Sequence, residues 1–502
     1  MSAEPGGSVA EPGGAVSETI VDADILASRE AGGKFLRGGG IRVVAYSVGL
    51  LVGLIATPLV TRHLGPADWG RYITVSSVIF IAVALTEGGV GNLGVREYST
   101  DSPEERRSFM SDLLGLRLVL SLVAAAGAVV FTLVAGYSSV LVAGTALACI
   151  GLVLEAQRAT FAIALTAGLR LGLLAVTDFA GQVVTAALMV LLVVAGAKLL
   201  PFFLVTTGAA LVTLTLTIVF VRSEVNLRPS FSASRWRSLF AGSLVYAAAT
   251  TLGVVYFRIV VIAMSLLSTK VQAGYFSLSF RIIDIVNAIP WLLVASAFPI
   301  LAKAAHGEAE RLQYALQRLF DGSLVVGALF TLAVILGAPF AVRVIGGPSF
   351  HPSVAVLEIL GVGIVGTFLV ATWSFALLTL KLYRELIVVN ALVVVLAIVL
   401  CVALIPDHDA KGAGVVTATL EIVLALGYAI VLARRRPELR PSLRLAPRVA
   451  LALAAGLALG IALPTGAVLA TVAGGLVMIA ALRLLGAVPE EFLQAIRLRP
   501  GG

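Results

Sequence analysis

The sequence predicts an all-α integral membrane protein with about fourteen transmembrane helices, and three observations carry that expectation. Of its 502 residues, 59% are hydrophobic and only 13% charged, about half the charge of roughly 25% found in a soluble domain. Its apolar residues come in repeated runs of about twenty, the length that crosses roughly 30 Å of hydrocarbon. The basic residues also alternate from loop to loop, as they do in a chain threaded back and forth across a bilayer.

Apolar runs place spans near 41–61, 72–92, 113–135, 139–162, 171–196, 199–221, 240–264, 276–299, 320–342, 354–379, 385–405, 412–433, 448–463 and 466–484. With the N-terminus inside, twenty-eight of the 36 basic residues fall in cytoplasmic segments. Among these are Arg96, Arg106, Arg107 and Arg117 in the loop after span 2, and the run Arg434–Arg436 with Arg440, Arg444 and Arg448 after span 12. Only six fall outside: Arg62, Arg71, Lys198, Lys270, Arg343 and Lys411. Arg258 and Arg281 remain within spans. The expected topology therefore has both termini in the cytoplasm, and the net charge of +8 needs no nucleic-acid partner.

Residues 1–34 repeat Glu-Pro-Gly-Gly and carry Glu18, Asp22, Asp24 and Glu30. No basic region leads into an apolar core, so this reads as a disordered cytoplasmic tail and not a signal peptide. Cys149 and Cys401 both lie in apolar runs, which excludes a disulfide framework or a cysteine-rich metal site. The four histidines are scattered in loops without metal-ligand spacing. No phosphate-binding G-x-x-x-x-G-K-[ST] motif appears, and the loops are too short for a catalytic domain. No cofactor is called for, and movement across the membrane is the activity left.

Two turns resemble each other. Leu64-Gly65-Pro66-Ala67-Asp68-Trp69-Gly70-Arg71-Tyr72 closes span 1, and Leu267-Ser268-Thr269-Lys270-Val271-Gln272-Ala273-Gly274-Tyr275 closes span 7. Each ends in Gly and Tyr and re-enters through a Ser-containing stretch, with six spans between the two. The expected division is a tail over 1–34, six-helix lobes over 35–232 and 233–434, two helices over 435–484 and a tail over 485–502. Paired lobes of this kind describe many transporters, with the substrate path between them.

Ionisable residues at membrane depth are candidates for function because their burial is costly. Arg281, Asp284, Asn287 and Trp291 share one face of span 8. Arg258 lies at a similar depth on span 7, and Glu87 is the candidate from the first lobe. Guanidinium forks suit a phosphate or pyrophosphate, which they grip bidentately. Against that stands a plainer reading, in which Arg281 closes a local ion pair with Asp284 one turn away. Glu155 with Arg158, Asp178 and Glu421 read as interhelical or helix-end polar contacts.

The stretches Thr61–Tyr72, Glu87–Glu97, Tyr256-Phe257-Arg258, Ala273-Gly274-Tyr275 and Ala297-Phe298-Pro299 resemble the oligosaccharide-lipid flippases. These form the polysaccharide-transport branch of the multidrug/oligosaccharidyl-lipid/polysaccharide exporter superfamily. The resemblance covers roughly residues 35–434. It implies two six-helix lobes around a central cavity, plus two C-terminal helices, in a bacterial cytoplasmic membrane. Its implied cargo is an undecaprenyl-pyrophosphate-linked oligosaccharide, carried to the external leaflet by alternating access. Arg258 and Arg281 would attract the pyrophosphate, and Glu87, Asp284 and Asn287 would line or tune the site.

Membrane lipids and polysaccharide-assembly membrane proteins are the further partners expected. Two departures matter. Many relatives carry an acid two positions after the span-7 arginine, where this chain has Val260. Span 1 lacks the carboxylate that drug/cation antiporters of the superfamily use, which weakens an efflux reading and leaves the energy source open. A drug/cation antiporter and a non-transporting membrane scaffold stand as alternatives.

Overall fold

The computed structural model describes residues 29–87, 90–100, 102–305, 309–464 and 466–487. The predicted tails lie outside these residues up to position 28 and from 488 onward. Among the described residues the chain is helical throughout, without a strand. The helices are α1 (Arg29–Glu87), α2 (Val90–Thr100), α3 (Pro103–Val134), α4 (Ser139–Ala167), α5 (Leu171–Val194) and α6 (Val205–Val221). They continue as α7 (Ala233–Leu267), α8 (Lys270–Ala305), α9 (Ala309–Ile345), α10 (Ser353–Thr379), α11 (Tyr383–Arg435), α12 (Ala446–Ala462) and α13 (Ala467–Leu484). Eleven of the described helices are long and apolar enough to cross a membrane, which makes this a multi-pass membrane protein. In hydrocarbon a helix is the economical choice, because it satisfies its own backbone hydrogen bonds.

Two of these helices hold two predicted spans each. In α1 the break is Gly65, at φ 70° and ψ 176°, a conformation essentially confined to glycine. Pro66 follows as the first residue of the second arm, where its missing N–H costs nothing. In α11 the break is Asp409, at φ 49° and ψ −132°. A side chain there is strained by about 1–3 kcal/mol, and the Ser268 hydroxyl at the end of α7 donates to its carboxylate. The short turn predicted after span 1 is thus made at a break within one helical segment. Each of the fourteen predicted spans overlaps a helical segment.

Packing divides the helices into two groups. In the first, α1 packs on α3, α4 and α5, while α6 closes on α4 and α5. In the second, α10 sits between α9 and α11, and α7 and α8 lie against α11 and α10 respectively. The pair α12–α13 packs on α9. The two groups meet where α1 runs against α7 and α8. Their connecting segment is pinned to α3, with the Ser230 N–H donating to the Ser111 carbonyl at 2.8 Å and Trp236 Nε1 to the Asp112 carbonyl at 3.1 Å.

The two resembling turns touch each other directly. A Cβ on Gly70 would lie 2.7 Å from the Gly274 nitrogen, and one on Gly274 only 1.9 Å from the Pro66 carbonyl oxygen. Backbone therefore meets backbone across the seam, as small residues permit in membrane helix packing. Beside this contact, α1 caps the end of α9. The Thr61 hydroxyl donates to the Ile345 carbonyl at 2.6 Å. Arg62 donates to the carbonyls of Arg343 and Val344. The last carbonyls of a helix lack intrahelical partners and carry partial negative charge, so a guanidinium fits there. The predicted outlier Arg62 has a structural occupation.

A bulky residue at Gly274 should pry this seam apart. Gly274→Val is expected to lower stability in detergent by about 1–3 kcal/mol. Gly253→Val, where nothing lies within 4 Å of the added carbon, should leave the same denaturation curve unmoved.

Candidate functional site

Arg258 sits nine residues before the end of α7, roughly 14 Å along the helix at 1.5 Å per residue. It is 9% exposed. Its guanidinium lies over the Phe80 ring of α1, 4.4 Å from the centroid, with Phe257 at 5.2 Å and Phe280 of α8 at 5.4 Å. Such faces attract a cation through the ring quadrupole. No acid lies within a turn of Arg258 on its own helix, but α8 supplies one. Arg258 Nη2 donates to both Asp284 oxygens, at 3.3 and 3.1 Å.

Arg281 reaches the same carboxylate. Its Nη1 is 3.3 Å from Asp284 Oδ2. The local pair expected one turn along α8 is therefore present, and Arg258 reaches the same carboxylate from α7. Two guanidiniums share one carboxylate, which leaves an excess positive charge. Side-chain exposure grades across the triad, at 11% for Arg258, 18% for Asp284 and 38% for Arg281. Arg281 is thus the member that faces open space, and it lies within electrostatic reach of Tyr72 on α1. Val260 is buried in the apolar core; Asp284 supplies the counter-charge from the next helix.

Asn287 continues the α8 face one turn beyond Asp284 and is half-buried. The Trp291 side chain lies outside the described residues. Glu87 does not join the triad. It is exposed at the end of α1, about two turns past Phe80, and its charge acts on Arg117 and Arg158. Those residues form a separate cluster in the first group of helices. Arg158 pairs with Glu155 and reaches Asp178 at 3.4 Å. Arg117, expected in a loop, is 2% exposed within α3. Helix α3 begins at Pro103 because its polar first turns carry the Ser102–Glu105 capping box, a signal that hydropathy alone does not register.

A third polar group is buried beside α7. Tyr256 donates to Glu421 Oε1 at 2.9 Å, and Thr367 donates to Oε2 at 2.9 Å. Close by, Tyr428 donates to Asn390 at 2.8 Å, whose amide reaches the Ala249 carbonyl at 3.3 Å. The sequence marked Glu421 as an interhelical contact, and it is one. These bonds tie α7, α10 and α11 together, because a polar group without a partner at this depth would cost several kcal/mol.

The unequal exposure of the triad predicts unequal couplings. A double-mutant cycle on Arg258 and Asp284 should return about 1–3 kcal/mol. The cycle on Arg281 and Asp284 should fall below about 1 kcal/mol, since water screens the more exposed pair. Unfolding in mixed detergent micelles measures both, and equal couplings would contradict this geometry.

Comparison with known proteins places the arrangement. No curated protein matches the chain. Among solved structures, a lipid II flippase MurJ in an inward closed conformation superposes with a TM-score of 0.72 at 13% identity, over 88% of this chain and 98% of that one. A multidrug resistance MATE family transporter of the MOP superfamily, inward-facing, gives 0.61 at 15% identity, over 79% of this chain and 98% of that one. At such identities the likeness establishes a shared fold. The family described as polysaccharide biosynthesis protein matches residues 35–305, a stretch that spans α1 through α8 with both turns and the whole Arg258–Asp284–Arg281 triad. The chain belongs to that polysaccharide biosynthesis family.

Proposed function

We propose that this protein flips an undecaprenyl-pyrophosphate-linked oligosaccharide from the cytoplasmic to the external leaflet of a bacterial cytoplasmic membrane. One observation carries the reading: two arginines from neighbouring helices converge on a single carboxylate at the seam between the helix groups. A pyrophosphate offers what that triad lacks, a second source of negative charge with oxygens spaced for guanidinium forks. Asp284 keeps both cations paired when no cargo is present, since an unpaired guanidinium at this depth is costly. Arg281 makes first contact, and Asn287 lies one turn further along for the amide-rich or hydroxyl-rich part of the cargo. Glu87 acts in the separate cluster with Arg117 and Arg158.

Family membership supports a role in polysaccharide biosynthesis, and the fold is shared with a protein described as a lipid II flippase. The alternation of basic residues supports termini in the cytoplasm. On that orientation the Gly70–Gly274 contact and the Thr61 and Arg62 caps would lie on the outside, which supports reading this arrangement as closed to the exterior. Motion of one helix group against the other would open that seam.

Reconstituted vesicles test the reading, with a lipid-linked oligosaccharide loaded on one leaflet and its exposure followed by an impermeant enzyme. Arg258→Ala and Arg281→Ala should each slow flipping at least tenfold. Lysine at either position should restore part of the rate, since it keeps the charge and loses the fork. Arg222→Ala, at an exposed site just past the end of α6, serves as the control. Full activity in both triad alanine variants would overturn the assignment. Accumulation of an organic cation driven by a proton or sodium gradient, with no lipid flipping, would point to an antiporter instead.

A further inference from the structure

At the end of the molecule opposite the two turns, a cavity of about 340 Å³ opens between the first turns of α9 and the segment leading into α12. Arg318, Arg444 and Arg448 line it, together with Asp321, Gln317 and Tyr314. Among the described residues that line it, three guanidiniums face one carboxylate, an excess of positive charge.

Its wall is built rather than incidental. The Gln317 side-chain amide pairs in both directions with Ser442, donating to its carbonyl at 3.2 Å and accepting from its N–H at 2.7 Å. The same amide donates to Asp321 at 2.9 Å. This stitch holds the Arg444 segment against α9. Arg318 lies against the Tyr314 ring, 5.0 Å from its centroid, and Arg448 reaches the Gly486 carbonyl past the end of α13 at 3.4 Å.

The position of the cavity identifies its depth. Helix α9 has 37 residues, roughly 55 Å at 1.5 Å per residue, against a hydrocarbon core of about 30 Å. Its first turns therefore stand out among the headgroups. On the other wall, Arg444 and Arg448 are four residues apart, and Leu451, three further on, is 63% exposed. This wall thus passes from cationic to exposed apolar within seven residues. Exposed Tyr314 and Leu443 flank the opening, at 59% and 63%, as interfacial residues do.

We propose that this cavity binds a phosphate ester anion, and that its source is the headgroup of an anionic phospholipid. The bound lipid would bridge α9 to the α12–α13 pair, which packs on that helix. Basic pockets between membrane helices bind acidic headgroups in this way. The inference is independent of the triad at the seam and of the direction of transport.

The full-length protein, purified in mild detergent, tests it by native mass spectrometry after mixing with phosphatidylglycerol or phosphatidylcholine. The wild type should retain phosphatidylglycerol at least tenfold more than phosphatidylcholine, and phosphatidylglycerol alone should raise its melting temperature. The triple variant Arg318→Gln, Arg444→Gln, Arg448→Gln should lose that preference while melting normally in phosphatidylcholine. Should the triple variant fold poorly, Arg444→Gln alone, at an exposed site, should weaken retention severalfold. An unchanged lipid preference in Arg444→Gln and the triple variant overturns the site. Stabilisation by inorganic pyrophosphate equal to that by phosphatidylglycerol, in the wild type and not in the variant, would overturn the lipid as source and leave a soluble phosphate.

Discussion

The contact of Gly70 with Gly274 sets the spacing on which the rest of this molecule depends. Because neither residue has a side chain, the second arm of α1 lies with its backbone on that of α8. That approach brings Thr61 and Arg62 onto the end of α9. On the second arm, past the break at Gly65, it lays Phe80 over Arg258 and sets Tyr72 within reach of Arg281. A single alanine methyl would collide with backbone at either position, so the distance between the two helix groups is fixed by the absence of atoms.

The second constraint is the medium. Within the spanning helices a polar group must find its partner in the protein, and three solutions are visible. Arg258 is held by a carboxylate and by three ring faces. Glu421 is held by two hydroxyls. Glu87, Glu155 and Asp178 surround Arg158, with Arg117 nearby. Of the three, the first alone stands at the seam between the groups and carries more positive charge than negative. That asymmetry singles out the first as the candidate anion site.

The sequence revealed much of this, for reasons that can be named. Spans are legible because twenty apolar residues in a row have few other uses, and the paired turns because they repeat a motif. Arg258 and Arg281 were found by depth, which hydropathy reports directly. What pairs with what across helices is not periodic, so Asp284 as the shared partner of both arginines was only half visible. Phe80 was not visible at all. Glu87 lies nearer Arg117 and Arg158 than the triad, and depth along a helix says nothing of which neighbour the helix turns a residue toward. Arg106 and Arg107, counted with the loop, lie in α3, which starts ten residues ahead of its apolar run on a capping box that hydropathy averages away; Arg117, near the start of the apolar run itself, is buried within the same helix.

On the flippase reading, these features act as one device. The seam that closes one end of the molecule is the same surface that supplies Phe80 to Arg258. A motion that separated Gly70 from Gly274 by drawing the α1 arm off α8 would take that ring with it. Arg258 then loses one of the faces that offset its charge, and its claim on Asp284 strengthens. Arg281, the more exposed partner, is left with less of the shared carboxylate. A bound pyrophosphate would answer that deficit, so opening at the seam and the hold on cargo would be linked through one aspartate. The coupling needs no wire between distant sites, because the gate and the ring that covers the cation share a helix.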